Sequence, residues 1–454
     1  MLDKIIAKYD RPVPRYTSYP TAPHFHQGVD ATCYGGWLRQ LPKAQHLSLY
    51  FHVPFCDTLC YFCGCNMRVV RRYEPVAAYI ELLLAELKLV GRELGTGPGA
   101  GRRPLEHLHF GGGSPSMVAP DDLRRLGAAI WSHFDATERA ELAIEVDPRD
   151  LADETVAALA DMGINRASIG VQDVNEDVQK ACNRIQPPEV TASAVNRLRA
   201  VGISAINLDL MYGLPLQTVA GVTRSVQVAL ELNPNRVSLF GYAHVPHMKK
   251  HQLLMPVEAL PDTEERFAQA EMAADLLVKA GYRRIGLDHF ARADDDMALA
   301  LDEGKLHRNF QGYTTDAAPA LIGLGASAIG SLPQGYQQNH VSLPEYRKAV
   351  QAGILPVARG VAVDAEDRHR RSIIEGIMCD LAVDLAEVAA GHPDHSLDLT
   401  KEKAQLAALA QDGMIIWDGN RLQVTEAGRP LVRTIAAVFD SYLKPGEGRH
   451  ARAI

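Results

Sequence analysis

"LSLYFHVPFCDTLCYFCGC", residues 47–65, runs an apolar segment straight into four cysteines, Cys56, Cys60, Cys63 and Cys65. The apolar half, seven residues long, reads as a buried strand. The cysteine half holds four of the chain's seven cysteines within ten positions. Thiolates that close together point to metal rather than to disulfides. Structural zinc usually draws its ligands as two separated pairs, and four sulfurs in so short a loop wrap one ion poorly. An iron-sulfur cubane carries its irons at separate corners, so C-x3-C-x2-C reaches three of them through Cys56, Cys60 and Cys63. Cys65, two residues further, would point elsewhere, and the fourth iron would then be open to a ligand that is not protein. A cysteine-rich zinc knuckle is the competing reading.

Outward from this loop, short apolar runs alternate with stretches of helical period. Strands are expected at 47–53, 105–110, 142–146, 166–172, 205–213, 236–243 and 283–291, with amphipathic helices between them. That rhythm is the signature of a parallel sheet with crossover helices. Cys56, Gly111 to Gly113, Glu145, Gln172, Asp209 and Ala243 all fall where strands end, which favours the mouth of a TIM-like barrel over an open sheet. The expected architecture is α/β: an N-terminal arm over 1–35 with a short helix at 2–9, a partial (β/α) barrel over 36–348, and a small, mainly helical C-terminal domain over 349–454.

With 47% hydrophobic residues the chain can bury a large core. Lys and Arg total 47 against 55 for Asp and Glu, and no polybasic run interrupts the chain, so nucleic acid is excluded as a partner. No stretch approaches the ~20 apolar residues that span a bilayer. The N-terminus has no secretory pattern, so a cytoplasmic location is expected.

Four further motifs carry chemistry. "HFGGGSPS", 109–116, lets backbone approach a ligand closely. "AIEVDPRD" puts Glu145 and Asp147 on one strand face. A buried carboxylate there needs a cation or hydroxyl partner, or Arg149 as a plain salt bridge. "IGVQDVNEDVQKACNR" and "INLDLMYG" add Gln172, Asp173, Arg184, Asn207 and Asp209, polar groups that are costly on an inward face unless they meet a ligand or each other.

The C-x3-C-x2-C loop with Phe62 before its last cysteine resembles the radical S-adenosylmethionine (SAM) superfamily. In order, "RYTSYPTA", "YFHVPFCDTLCYFCGCN", "HFGGGSP", "IEVDPR", "GVQDVNEDVQKACNR", "NLDLMYGLPLQT", "DHFA", "LHRNFQGYTT" and "GLGASAI" resemble the oxygen-independent coproporphyrinogen III dehydrogenase family over essentially the whole chain. The resemblance implies anaerobic oxidative decarboxylation of two propionates of coproporphyrinogen III to vinyl groups, giving protoporphyrinogen IX through a 5'-deoxyadenosyl radical.

The resemblance further implies one [4Fe-4S] cluster on Cys56, Cys60 and Cys63 and two SAM molecules. Tyr50, Gly112, Glu145 and Ile329 match the first SAM site; Phe62, Gly113, Ser114, Gln172, Arg184, Asp209 and Ala243 match the second. Cys65, Phe310 and Gln311 match residues needed for activity, with Glu145 placed beside them. Implied partners are a low-potential electron donor of flavodoxin or ferredoxin type and an unidentified electron acceptor, with the protein a monomer. Ser114 stands where Thr is common, keeping the hydroxyl. Arg15, Arg292 and Arg308 are candidates for the substrate carboxylates, and Lys249 and Lys250 in "HVPHMKKHQLLMP" are read as solvated. Two neighbouring readings are a haem chaperone of the same superfamily and a radical SAM methyltransferase; the chaperone characteristically lacks the fourth cysteine and the arm, and both are present here.

Overall fold

The computed structural model describes residues 8–443, and its organising element is a curled sheet of twelve strands. Strands β1 (Leu47–Val53), β2 (Arg103–Gly112), β3 (Phe134–Val146), β4 (Arg166–Gln172), β5 (Ala205–Tyr212) and β6 (Arg236–Gly241) are parallel neighbours. Helix α1 (Ala31–Gln40) leads into β1, and α2 (Glu74–Leu94), α3 (Pro120–His133), α4 (Asp153–Asp161), α5 (Pro188–Ala200) and α6 (Val219–Glu231) carry the chain from strand to strand. After α7 (Thr263–Lys279) come β7 (Tyr282–Ile285), β8 (His289–Arg292), β9 (Ala320–Leu324), β10 (Ile329–Leu332), β11 (Gly335–Asn339) and β12 (Val357–Ala362). The order across the sheet is β12-β11-β10-β9-β1-β2-β3-β4-β5-β6-β8-β7, with β9 parallel to β1 and the outermost strands antiparallel.

Alternation along each strand sorts the side chains. Glu141 and Glu145 of β3, Asn207 and Asp209 of β5, and Arg236 and Ser238 of β6 face a lumen, whereas Leu142, Ile144, Leu208 and Val237 pack outward into the helical layer. The edges β12 and β7 do not pair, so the barrel is partial, as expected. A two-stranded hairpin, His307–Asn309 with Gly312–Thr314, contributes Gln311, Tyr313 and Thr314 to the same lumen.

The run 283–291, expected as one strand, is a hairpin of β7 and β8 instead. Gly286 turns the chain with φ +53°, and the Tyr313 ring fills the space that a side chain there would need. A lone glycine inside an apolar run gave no sign of this reversal. Nor does the sheet stop at 348: β12 adds to it through Ala362. Beyond lies a second core in which Ile373, Ile377, Leu406, Leu431 and Phe439 meet. Val13, Tyr16 and Tyr19 of the arm are buried in that core, so the arm is a packed part of the C-terminal unit. The helix expected at 2–9 falls mostly outside the described residues, and α1 was not foreseen.

A polar pillar under β1 sets the height of the cysteine loop. Tyr79 of α2 donates to the His52 carbonyl at 2.8 Å, and the Ala326 amide donates to Tyr79. One turn on, buried Glu86 accepts from the Gly325 amide, Asn339 and Tyr346 at 2.7, 2.6 and 2.5 Å. Burial pushes its carboxyl up to about 7 against those hydrogen bonds. A raised folded-state value means stability that is full below about pH 4.5 and drains as pH rises toward 7, by roughly 3 kcal/mol. Glu86→Gln lacks this proton, so the difference in unfolding free energy between variant and wild type should move in the variant's favour from pH 5 to 7.5. A pH-independent difference would contradict the assignment.

Candidate active site

The chain leaves β1 at Val53 and enters the cysteine loop with the first three sulfurs each within reach of a donor. Ser114 Oγ lies 3.6 Å from Cys56 Sγ; Arg184 Nη1 and Arg149 Nη2 lie 3.5 and 3.9 Å from Cys60 Sγ; the Cys65 amide donates to Cys63 Sγ at 3.4 Å. Donors aimed at sulfur favour thiolates, the form that binds metal, although at Cys56 burial outweighs the Ser114 hydroxyl and pushes the thiol up to about 12. The Cys65 thiol hydrogen bond brings Cys63 down to about 7 against its burial, and the same contact pushes Cys65 up. Cys60 is buried, Cys56 and Cys63 half-buried, and Cys65 exposed. Among the described residues no three His, Cys, Asp or Glu side chains are grouped as a single-ion site.

The glycine loop docks against this one. Gly113 N–H donates to the Val53 carbonyl at 2.9 Å and Ser114 N–H to the Phe55 carbonyl at 2.7 Å. A Cβ on Gly113 would overlap the Phe55 carbonyl, and one on Gly112, at φ +118°, would meet the His52 ring. The two loops thus fit only because these positions carry no side chain. Gly113→Ala should leave the barrel folded yet lower iron incorporation several-fold, read as iron per chain after anaerobic reconstitution; wild-type iron loading would contradict the docking argument.

Glu145 rises from β3 into the lumen beneath. Its Oε2 accepts from Gly112 N–H at 3.0 Å and its Oε1 faces His109 Nε2 at 3.4 Å. Burial opposes ionisation, but His109 and the Gly112 amide outweigh it and hold the carboxyl below its usual range. Tyr50 stacks on His109 and donates to His52 Nδ1 at 3.0 Å; His52 Nε2 in turn donates to the Asn66 carbonyl at 2.9 Å, tying down the loop beyond Cys65. Gln311 and Asp209 line the same lumen, a cavity of about 160 Å³. Asp209 accepts from Ser168 and Asn207 at 2.8 Å each, and burial raises its carboxyl, with no cation among these partners.

Asp147, on the other side of the mouth, accepts from Arg149 at 2.6 Å and Arg184 at 3.2 Å. These guanidinium groups overcome burial and hold it near 2. Arg184 also donates to the Gly170 carbonyl at 2.7 Å, and its buried Nε has no partner. Gln172 sits next to it at φ +68°, a conformation that non-glycine residues rarely adopt.

The remaining expected residues spread around the rim. Phe62 packs with Cys182, Leu214 and Tyr242; Ile329 and Phe310 pack with Phe25 and Tyr336. Ala243 borders a second, larger cavity together with Arg15 and Arg308. Arg292 does not reach either cavity: it pairs with Asp294 and Asn233, each at 3.1 Å, because the strand carrying it runs antiparallel to β6. Lys249 is not simply solvated. Its Nζ donates to the Cys65 carbonyl at 2.7 Å, His251 Nε2 to the Cys63 carbonyl at 2.8 Å and Gln252 to the Phe62 carbonyl at 3.2 Å. Residues 244–256 therefore clamp the cysteine loop by its backbone, a role that leaves no residue pattern in sequence because the acceptors are carbonyls.

This arrangement has close relatives. Residues 50–227 match the radical SAM superfamily and residues 363–431 the HemN C-terminal domain. The oxygen-independent coproporphyrinogen III oxidase of Bradyrhizobium diazoefficiens is 47% identical over 452 residues, covering 100% of this chain and 99% of the relative. That of Paracoccus denitrificans is 43% identical over 98% of this chain and 97% of the relative. The chain belongs to the oxygen-independent coproporphyrinogen III oxidases. The solved structure of the Escherichia coli coproporphyrinogen III oxidase, described as a radical SAM enzyme, superposes on this oxidase family member with a TM-score of 0.88 at 35% identity, covering 95% of this chain and all of that one. Membership of the radical SAM superfamily implies a [4Fe-4S] cluster and SAM, and the donor-supported cysteine loop with its side-chain-free glycine cradle fits both.

Proposed function

We propose that this chain carries out the oxygen-independent oxidation of coproporphyrinogen III, converting two propionates to vinyl groups to yield protoporphyrinogen IX in haem biosynthesis. The observation that carries this reading is the chain of contacts from the cysteine loop to the glycine loop, and from Gly112 to Glu145 in the lumen that Gln311 also lines, in a chain related end to end to such oxidases. Cys56, Cys60 and Cys63 would hold three irons. When bound, the cluster and SAM supply the one-electron chemistry that takes a hydrogen atom from a propionate side chain.

The protein's own part is placement. Gly112, through its backbone, and Glu145 form an acceptor-rich rim for the ammonium or ribose hydroxyls of a first SAM, with Tyr50 and Ile329 beside it. Gly113, Ser114, Gln172, Arg184, Asp209, Phe62 and Ala243 are the residues proposed for a second. Arg184 spans both roles, since one edge of its guanidinium steadies Cys60 while Nε is left buried and unpaired. Phe310 and Gln311 lie at the turn of the hairpin, Phe310 packed with Phe25 and Tyr336 and Gln311 facing the lumen, and with Cys65 they are the residues proposed to wall the space where the propionate meets the reacting group; walls of this kind exclude water from a reactive intermediate.

We take the barrel unit to end at Ala362 and the C-terminal unit to start after it, where the second family match begins. A cytoplasmic monomer fed by a flavodoxin- or ferredoxin-type donor, and passing electrons to an acceptor, completes the reading; all seven cysteines are free, as a reducing compartment requires. No helix among the described residues is long and apolar enough to cross a membrane. Equilibrium dialysis of the reduced holoprotein against labelled SAM tests the paired sites: two equivalents per chain are expected, falling to one in Asp209→Asn, whereas one equivalent in the wild type contradicts the second site.

A further inference from the structure

The second cavity, about 430 Å³, starts at the strand ends marked by Tyr212 and Ala243 and runs between α7, the β6–β8 edge of the sheet and the C-terminal unit. Five arginines from scattered parts of the chain line it: Arg15, Arg266, Arg284, Arg308 and Arg433. Three acids share the wall, Asp262, Glu271 and Asp288, leaving an excess of two positive charges. Those acids are engaged. Glu271 accepts from Arg284 at 3.1 Å, Asp288 pairs with His289 at 2.8 Å, and Asp262 caps α7 through the Glu265 amide at 2.9 Å. Among the described residues Arg15, Arg266 and Arg308 have no carboxylate within ion-pair distance.

Arg308 decides what the cavity is for. It is 8% exposed, its guanidinium lies 4.4 Å from the centroid of the Tyr313 ring, and its Nε donates to the Arg15 carbonyl at 3.2 Å, yet its buried Nη1 has no partner. The void on its other side, against Tyr16 and Ser18, is about 20 Å³, room for one water at most. An unpaired buried guanidinium nitrogen is costly, and the planar fork of arginine matches a carboxylate edge. Buried Arg284 Nε is likewise unpartnered.

The hairpin gives the link to the reaction. It presents Arg308 to this cavity and Gln311, three residues on, to the lumen. We infer that the arginine-lined cavity seats two propionate carboxylates of the substrate, those that remain carboxylates through the reaction, while a reacting propionate reaches past the hairpin toward the lumen. The inference rests on the functional reading above. Two carboxylates match the two surplus positive charges. Arg308 and Arg433 also hold the carbonyls of Arg15 and Val13, each at 3.2 Å, so the arm is fastened by the groups that would take the anion.

The test uses coproporphyrin III, the oxidised fluorescent form that keeps all four propionates, and its tetramethyl ester. Both are titrated into anaerobic holoenzyme, wild type and the variants Arg266→Gln, Arg284→Gln and the pair combined, with iron content and circular dichroism confirming the fold. Arg266 and Arg284 are chosen because both are only half-buried. The expected result is about tenfold weaker binding of the free acid in each single variant and about a hundredfold in the double. Ester binding should be unchanged and the KM for coproporphyrinogen III should rise in step, with SAM affinity intact. Wild-type free-acid affinity in the double variant, or an equal loss for the ester, overturns the site while leaving the function standing. A wild type that neither binds the acid nor forms vinyl product overturns the functional reading itself and the inference with it.

Discussion

Cys65→Ser should retain near-normal iron and lose at least a hundredfold in turnover. The first half follows from how the loop is held. Cys65 supports Cys63 through its backbone amide, 3.4 Å from the sulfur, and it is secured by Lys249 through its backbone carbonyl at 2.7 Å. Serine keeps both. The second half follows from position: Cys65 is exposed, its thiol contacts Cys63, and Tyr50 and Glu145 are also among its ionisable neighbours, so it stands between the three proposed cluster ligands and the proposed SAM rim. Iron and sulfide analysis beside a product assay decides it. Loss of iron in Cys65→Ser would mean that the loop uses all four cysteines as ligands and that the division into three and one is wrong.

Cys60→Ala should do the opposite and empty the site. Cys60 is the most buried of the four cysteines and accepts from both Arg184 and Arg149. Removing its sulfur takes away one of the three proposed ligands and leaves the Arg149 and Arg184 guanidinium groups without their contact to sulfur. The expected outcome is iron near background after reconstitution and reductive SAM cleavage below detection, with folded protein still present because the barrel core of Leu49, Phe51, Phe110 and Ile144 is untouched. Iron at wild-type levels in this variant would contradict the assignment.

Much of this was legible in the sequence, for a physical reason. A parallel barrel is built from local units, so strand periodicity, helix amphipathicity and the residues at strand ends are written contiguously. Cys56, Gly112, Glu145 and Asp209 could be placed at one mouth on that ground. The elements that were missed depend on pairing between distant segments. Gly286 turns because Tyr313, far along the chain, occupies its side-chain space. The arm is buried because Tyr16 and Tyr19 meet a core whose other half lies beyond residue 370. Lys249 and His251 grip carbonyls that any loop possesses, and Arg266, Arg284 and Arg433 become a charge cluster only when α7, β7 and the C-terminal unit come together around them.

The most direct measurement incubates chemically reduced holoprotein with SAM and coproporphyrinogen III under strict anaerobiosis and follows CO2, 5'-deoxyadenosine and porphyrinogen product in one sample. The account predicts that all three rise together, with protoporphyrinogen IX as the end product and CO2 released for each vinyl group formed. A preparation with an intact cluster that binds SAM and coproporphyrinogen III yet releases no CO2 and forms no vinyl product would contradict it.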